Sequence, residues 1–455
     1  MANEAAIPMT EPGYEYDAVV VGLGKTGLAC LRYLHRHGLK VAVADTRSEP
    51  PMAAQARREM PDLELRTGAL DSAWLSRAGQ LVVSPGVSVR EPAIASARRA
   101  GVEVVGDIEL FARACSTPVI AVTGSNGKTT VTRLVEFLGR EAGVDVVAAG
   151  NIGTPVLDLL DGADHAFYAL ELSSFQLETT SSLRPAVAAL LNVSHDHMDR
   201  YPAFADYLDA KQGIYNGARA AVFNRDDPTT IPRHPTAADG TYTFGLDRPA
   251  GERDFGLLEW NGRTWLATGA GRLVRTDSLR LTGRHNWANV LAALALAQAA
   301  GWDLERCAAA VPGFRGLPHR MEYVAEIDGV RFVNDSKATN VGATVAALSG
   351  AGGPVVLIAG GQGKGADFAP LKDALAGHAR AVVLFGRDAS LIEEAVDDVV
   401  DRYHAADLEE AVRQASRVAR AGDTVLLSPA CASFDMFNDY QHRGEVFKAA
   451  VERLS

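Results

Sequence analysis

Cysteine is nearly absent from this chain. Four occur in 455 residues, Cys30, Cys115, Cys307 and Cys431, far apart and never as C-x-x-C. That excludes a disulfide framework and paired-cysteine zinc modules, and it suits a reducing compartment. Long apolar runs are missing too. The longest apolar helical pattern, Val290 to Ala300, is too short to cross a bilayer. The opening stretch MANEAAIPMTEPGYEYD has no apolar segment of the kind a secretory signal needs. Positive charge is in deficit: 45 Lys and Arg stand against 56 Asp and Glu, a net charge of −11. Nucleic acid and anionic membranes are therefore poor main partners, and an anionic substrate needs local basic clusters. No repeat, coiled coil or low-complexity segment stands out. The expectation is a cytoplasmic protein. What is present is an ordinary globular composition, 47% hydrophobic and 22% charged. The chain is long enough for several domains, each with its own core.

Residues 118–131 read PVIAVTGSNGKTTV. Val119 to Thr123 is a short β-branched run of buried-strand type, and a helical pattern runs from Val131 to Glu141. The turn between them, Gly124-Ser125-Asn126-Gly127-Lys128-Thr129-Thr130, points backbone N–H groups and a helix N-terminus at one spot, where an anion is favoured. Lys128 supplies a point charge for terminal phosphates and Thr129 a hydroxyl for Mg²⁺. Gly124 stands three residues before Gly127, closer than in the general phosphate-loop spacing. The bland alternative is an ordinary glycine-rich strand–helix turn.

Upstream, Ala18 to Val21 is apolar, Gly22-Leu-Gly24-Lys25-Thr26-Gly27 matches G-x-G-x-x-G, and Leu28 to His37 is a helical pattern closed by Gly38. A second strand, Lys40 to Ala44, ends in Asp45-Thr46-Arg47. Glycines followed by an acid about 20 positions on form the dinucleotide fingerprint. Read locally this points to NAD, or to a βαβ turn with no ligand. Another strand ends at Ser84-Pro85-Gly86, and Glu103 to Asp107 closes the unit.

Downstream, Ala166 to Leu170 is a strand ending in Glu171, where an acid can hold Mg²⁺ or be merely solvated. Asn192 to Arg200 packs His195, Asp196, His197 and Asp199 together, as metal ligands or as a polar loop. Lys211 lies on a helical stretch and alone reads as a surface lysine. Residues 225–283 suggest a small β insertion, and Asn286 and Asn289 open the Val290 helix. Pro- and Gly-dense 311–320 marks a boundary. A third α/β unit follows, with strand ends at NDSKATN (334–340), GGQGKG (360–365) and SPACASFD (428–435). Strand ends are where open α/β sheets bind ligands.

Together GSNGKTT, ELSSFQLE (171–178) and LNVSHDHMDRY (191–201) resemble the central domain of the Mur ligases. NDSKATN, GGQGKGADF and SPACASFD are similar to the D-glutamate-adding branch of that family. The resemblance spans nearly the whole chain. It implies an α/β protein of three domains: a Rossmann-like UDP-binding domain (1–107), a central phosphate-loop ATPase-type parallel sheet with a small β insertion (108–316), and a Rossmann-like amino-acid-binding domain (317–455). It implies a monomeric ATP-dependent ligase joining D-glutamate to UDP-N-acetylmuramoyl-L-alanine in peptidoglycan precursor synthesis. Lys128, Glu171, His197 and Lys211 would be catalytic. Gly124 to Thr130, Asn286, Asn289, Arg320 and Asp335 would bind ATP. Two Mg²⁺ are implied, held by Thr129, Glu171, His197 and Lys211, the lysine as its carbamate. Gly24, Lys25, Thr26, Asp45, Thr46, Arg47, Ser84, Gly86, Asn151 and Gln176 would meet the UDP substrate, so the G-x-G-x-x-G turn would hold its diphosphate rather than NAD. Thr339, Lys364, Ser433, Phe434 and Tyr440 would receive D-glutamate. Hinges are expected near 107–117 and 314–320. The alternatives are a sibling Mur ligase adding another amino acid, an NAD-dependent oxidoreductase, or a non-catalytic nucleotide-binding regulator.

Overall fold

The computed structural model describes residues 13–233, 240–281, 283–351, 353–397 and 399–454. The signal-free reading of the N-terminus falls mostly outside them. Among the described residues no helix is long and apolar enough to cross a membrane.

The first sheet is wholly parallel. Its strands are β1 (Tyr16–Val21), β2 (Val41–Asp45), β3 (Glu64–Thr67), β4 (Ala78–Val83) and β5 (Glu103–Val105), in the order β3-β2-β1-β4-β5. Val19, Val20 and Val21 are all fully buried. Consecutive apolar residues suit a parallel strand covered on both faces. The helix after β1 runs Lys25–Arg36 and starts three residues before its apolar pattern. Gly27 lets it sit directly on the turn: a Cβ there would come 2.0 Å from the Gly22 carbonyl oxygen.

The central sheet has nine strands: β6 (Val119–Thr123), β7 (Val146–Gly150), β8 (Phe167–Glu171), β9 (Val187–Leu190), β10 (Ala220–Asn224), β11 (Gly240–Phe244), β12 (Asp254–Trp260), β13 (Arg263–Thr268) and β14 (Gly271–Arg275). Their order is β14-β13-β12-β11-β10-β9-β6-β8-β7. The strands of 225–283 therefore do not stand apart. They extend the main sheet, first in parallel and then as an antiparallel meander. Helices Lys128–Glu141 and Arg284–Ala299 pack on each other and share one apolar core with this sheet.

The third sheet holds β15 (Glu322–Ile327), β16 (Val330–Asn334), β17 (Val355–Gly360), β18 (Ala379–Phe385), β19 (Asp401–His404) and β20 (Thr424–Leu427), in the order β15-β16-β20-β17-β18-β19. Only β15 is antiparallel to its neighbour. The edge strands β15 and β19 are half-exposed and lack clean alternation. Sequence patterning therefore passes over them.

Candidate active site

β6 lies between β8 and β9, all three parallel. Their carboxyl ends bring together the Gly124 turn, Glu171 and the Asn192–His197 stretch. Gly127 has φ 82°, and a Cβ there would meet Asn289 Oδ1 at 2.4 Å. The turn needs glycine at this point both for its conformation and for room.

Around this turn two lysines share one carbonyl. Lys128 Nζ donates to the Gly124 oxygen at 2.7 Å and to the Ser125 oxygen at 2.9 Å, and Lys211 Nζ donates to the same Gly124 oxygen at 2.8 Å. Lys211 is buried, not the surface lysine its helix suggests. Burial, reinforced by the Lys128 charge, pushes its pKa well below the usual lysine range. Lys128 is also lowered, by burial, against the opposing pull of Glu171 and Asp196. Glu171 accepts from Asn151 Nδ2 at 2.8 Å through Oε1, while its Oε2 is buried without a partner. His197 sits at φ 57°, with Nε2 3.7 Å from Asp196 Oδ2, and burial lowers its pKa. Lys128, Asn151, His197 and Lys211 line one small cavity of about 310 Å³.

A larger cavity, about 440 Å³, opens on the other side of the turn. Asn126, Gly127, Thr130, Asn286, Asn289, Arg320 and Asp335 all line it. Thr129 Oγ1 accepts from Arg320 Nη2 at 2.6 Å. Gly124 and Ser125 lie behind, with Ser125 Oγ bonded to the Ser194 oxygen and Tyr207. Burial pushes the Asp335 carboxyl up to about 7, although Ser428 Oγ donates to it at 2.9 Å. Lys337 also lines this cavity; burial lowers its pKa to about 8, and its ammonium lies 3.8 Å from the Tyr440 ring centroid.

A third cavity, about 490 Å³, lies between the first and central domains. It gathers Gly24, Lys25, Thr26, Asp45, Thr46, Arg47, Ser84, Gly86, Asn151 and Gln176. Asn151 and Gly86 also line the small cavity, so the two adjoin. Asp45 is spent internally: Oδ1 accepts from Arg47 N and Nε, and Oδ2 from Leu23 N and Arg47 Nη2. A carboxylate has about four acceptor positions. None is left for a ribose hydroxyl, and Arg47 is the group that Asp45 orients. Gln176 Nε2 donates to buried Asp107 at 3.0 Å. Arg200 ties the domains together, donating to the Pro85 oxygen at 2.6 Å and the Val87 oxygen at 2.9 Å.

In the third domain the ends of β16, β20 and β17 are adjacent, so NDSKATN, SPACASFD and GGQGKG meet. Arg443, fully buried, clamps two of these loops: Nε donates to Ser336 Oγ at 3.0 Å, Nη2 to the Ser336 oxygen at 2.8 Å, and Nη1 to the Cys431 oxygen at 3.0 Å. Ser336 Oγ in turn donates to the Tyr440 oxygen at 2.8 Å. Asn340 reaches across to the central domain, with Nδ2 3.2 Å from both Asn126 Oδ1 and Asp196 Oδ2. Ser433 is buried, whereas Phe434 is 66% exposed. Thr339, Lys364, Ser433, Phe434 and Tyr440 line none of these three cavities. Arg443, Asn340, Arg200 and Asp107 are additions to the residues expected from sequence. For Asn340 the NDSKATN cluster was the signal; for Arg443 and Asp107 there was none.

Among the described residues no three His, Cys, Asp or Glu side chains converge as a metal cluster. Mg²⁺ prefers oxygen and commonly takes only one or two protein ligands beside water and phosphate. The orphaned Glu171 oxygen and the Thr129 hydroxyl fit that pattern.

Family models match in three consecutive blocks: a Mur ligase MurD-like N-terminal domain over 16–106, a Mur ligase middle domain over 122–297 and a Mur ligase glutamate ligase domain over 319–431. The chain is 50% identical over 450 residues to the UDP-N-acetylmuramoylalanine–D-glutamate ligase of Nitrosococcus oceani, covering 98% of both chains. It is 50% identical over 443 residues to the same-named ligase of Pseudomonas aeruginosa, covering 96% of this chain and 98% of that one. Its fold is similar to that of a MurF ligase from Thermotoga maritima in complex with ADP, with TM-score 0.59 and 19% identity over 98% of this chain and 97% of that one. The chain belongs to the Mur ligase family.

Proposed function

We infer that this protein is the D-glutamate-adding ligase of peptidoglycan precursor synthesis, and that it consumes ATP to join D-glutamate to UDP-N-acetylmuramoyl-L-alanine. The observation that carries this is the near-full-length identity to ligases of that name. The site is consistent with it, because a nucleotide-sized cavity and a second cavity lined by Lys25 and Arg47 approach one lysine-rich centre.

In the mechanism proposed, the nucleotide lies in the cavity of Asn286, Asn289, Arg320 and Asp335, with its terminal phosphates on the Gly124–Thr130 turn. The UDP substrate lies along Gly24–Thr26 and Arg47, and its alanine carboxylate enters past Asn151 toward Lys128. The carboxylate oxygen attacks the γ-phosphorus, and the bond to the β-phosphate oxygen breaks. ADP and an acyl phosphate result. The neutral amine of D-glutamate then attacks the acyl carbon, the tetrahedral intermediate loses its proton, and phosphate departs. Three anions meet, so charge neutralisation dominates. Lys128 exchanges its two carbonyl partners for phosphate oxygens. Mg²⁺, when bound, would add Lewis-acid and charge-neutralising chemistry at Thr129, Glu171 and His197. Lys211 fits carbamylation: burial lowers its pKa and so favours the neutral amine, the form that adds CO₂. A carbamate is anionic and can face a cation that an ammonium cannot. We assign Thr339, Lys364, Ser433 and Tyr440 to D-glutamate, while Phe434 would have to move inward to take part. A monomer in the cytoplasm is part of the same reading.

The test is phosphate release on incubation with ATP, Mg²⁺ and UDP-N-acetylmuramoyl-L-alanine, with D- or L-glutamate as acceptor. Release with D-glutamate alone is expected. No release with D-glutamate sinks the proposal, and release with a different amino acid moves it to a sibling activity.

A further inference from the structure

A fourth cavity, about 450 Å³, lies on the seam between the central and third domains, behind the 315–320 linker. It matches the nucleotide cavity in size. Arg280 comes from the central domain, Arg315 from the linker and Arg331 from β16, and Leu281, Asn286, Leu317, Arg320 and Met321 form a wall shared with the nucleotide cavity. Among the described residues the guanidinium groups of Arg280, Arg315 and Arg331 have no hydrogen-bond or ion-pair partner. Glu326 is the cross-strand neighbour of Arg331 yet makes no ion pair with it. The one carboxylate in the wall, Glu322, is already engaged: Oε2 accepts from His319 N at 2.8 Å and Asn334 Nδ2 at 3.1 Å, and Oε1 lies 3.5 Å from Lys448 Nζ.

This concentration of charge runs against the rest of the molecule, whose net charge is −11. Arg280, Arg315 and Arg331 are exposed at the rim of this concavity, where like charges repel each other and together attract an anion. Guanidinium forks match phosphate oxygens in planar, bidentate fashion. At the cavity wall Tyr323 is 61% exposed and has no aromatic or cation partner among the described residues, so one face of its ring is available for stacking. The ligand that answers all of these features carries phosphate and is of nucleotide size.

We propose that this cavity is a second anion site, adjoining the nucleotide cavity across the Asn286 and Arg320 wall, that binds a phosphate-bearing small molecule through Arg280, Arg315 and Arg331, with Tyr323 positioned to stack on a ring of the ligand. Its walls come from two domains, so an occupant bridges them.

The experiment is calorimetric titration of the full chain, held saturated with both ADP and UDP so that the substrate cavities are filled. The probes are inorganic pyrophosphate and guanosine monophosphate. The unmodified protein should bind at least one probe at a single site. The double variant Arg280→Gln/Arg331→Gln should bind it at least tenfold more weakly while keeping its melting temperature and its phosphate-release activity. Tyr323→Ala then separates the sources. Weaker nucleotide binding with unchanged pyrophosphate binding identifies a nucleotide, and no change in either identifies a free phosphoanion; both support the site. Absence of a third binding event overturns the proposal, as does affinity in the double variant within twofold of the unmodified protein.

Discussion

Replacing Arg443 with Met separates stability from substrate positioning. The side chain is fully buried, and its hydrogen bonds go to carbonyl and hydroxyl oxygens, while the Asp435 and Asp335 carboxylates act on its charge only through space. Burial lowers its pKa to about 10, so it is still charged at neutral pH. Each hydrogen bond from a charged donor contributes about 1.5–3 kcal/mol net. Three such bonds together amount to roughly 5–9 kcal/mol. Desolvating the charge costs several kcal/mol, which offsets part of this. Met, however, leaves the Ser336 and Cys431 oxygens buried without their donor, at about 1–3 kcal/mol each. Arg443→Met should therefore lower unfolding free energy by about 3–5 kcal/mol, as loss of one partner of a buried charge does. Geometry is lost as well. The guanidinium is the link between the Ser336 and Cys431 backbones, and through Ser336 to Tyr440. Without it the NDSKATN and SPACASFD loops lose their mutual registration. The KM for D-glutamate should rise about tenfold or more, equivalent to about 1.4 kcal/mol, while the KM values for ATP and the UDP substrate stay within about twofold. Arg443→Lys, with the charge and fewer bonds, should fall between. Steady-state kinetics with each substrate varied in turn, alongside urea unfolding, reads all of these. An unchanged KM for D-glutamate, or a common rise in all three, would refute the reasoning.

Other outcomes follow from the same geometry. Lys128→Ala should lower kcat by about a thousandfold or more with the fold intact, as removal of a charge used in the transition state requires; phosphate release and circular dichroism measure the two. Lys211→Ala should be inactive and regain part of its activity with millimolar short-chain carboxylic acids, and total lack of rescue would count against the carbamate. Asp107 is buried, its Oδ1 has no partner, and burial raises its pKa from 3.8 to about 6. The folded state thus holds the proton more tightly than the unfolded chain. The contribution is largest at low pH and falls by about 3 kcal/mol as pH rises from about 4 to above 6. Asp107→Asn should abolish that slope in chemical unfolding curves; an identical slope in both proteins would show that another group is responsible.

Much of the site was legible because strand, glycine turn and helix are written locally. The ten residues assigned to the UDP substrate by the family resemblance all line one cavity, and most of them sit at strand ends in the turns that follow β1, β2, β4 and β7. The helix starts were misjudged for a functional reason. Lys25 and Thr26, and Lys128 to Thr130, fill first turns with polar residues that face ligand space, which interrupts the apolar periodicity. The strands of 225–283 were recognised as β structure but not as part of the main sheet, because pairing of β11 with β10 is a long-range event with no local mark. Arg443 was invisible for a similar reason: a buried arginine bonded to distant backbone oxygens looks, in sequence, like any helical arginine. Phe434 was placed in the amino-acid pocket by resemblance, and its exposure shows that loop position does not fix side-chain direction.

The shared Gly124 carbonyl bears on turnover. Lys128 and Lys211 come from two different helices, so one carbonyl ties both helices to the turn and the protein's own groups fix its shape. Under the function proposed above, a triphosphate on this turn would exchange the bonds of Lys128 to Gly124 and Ser125 for its own, and the net gain would be the difference between two similar sets. Such an exchange makes a shallow well, with a partner for the lysine before the ligand arrives and after it leaves.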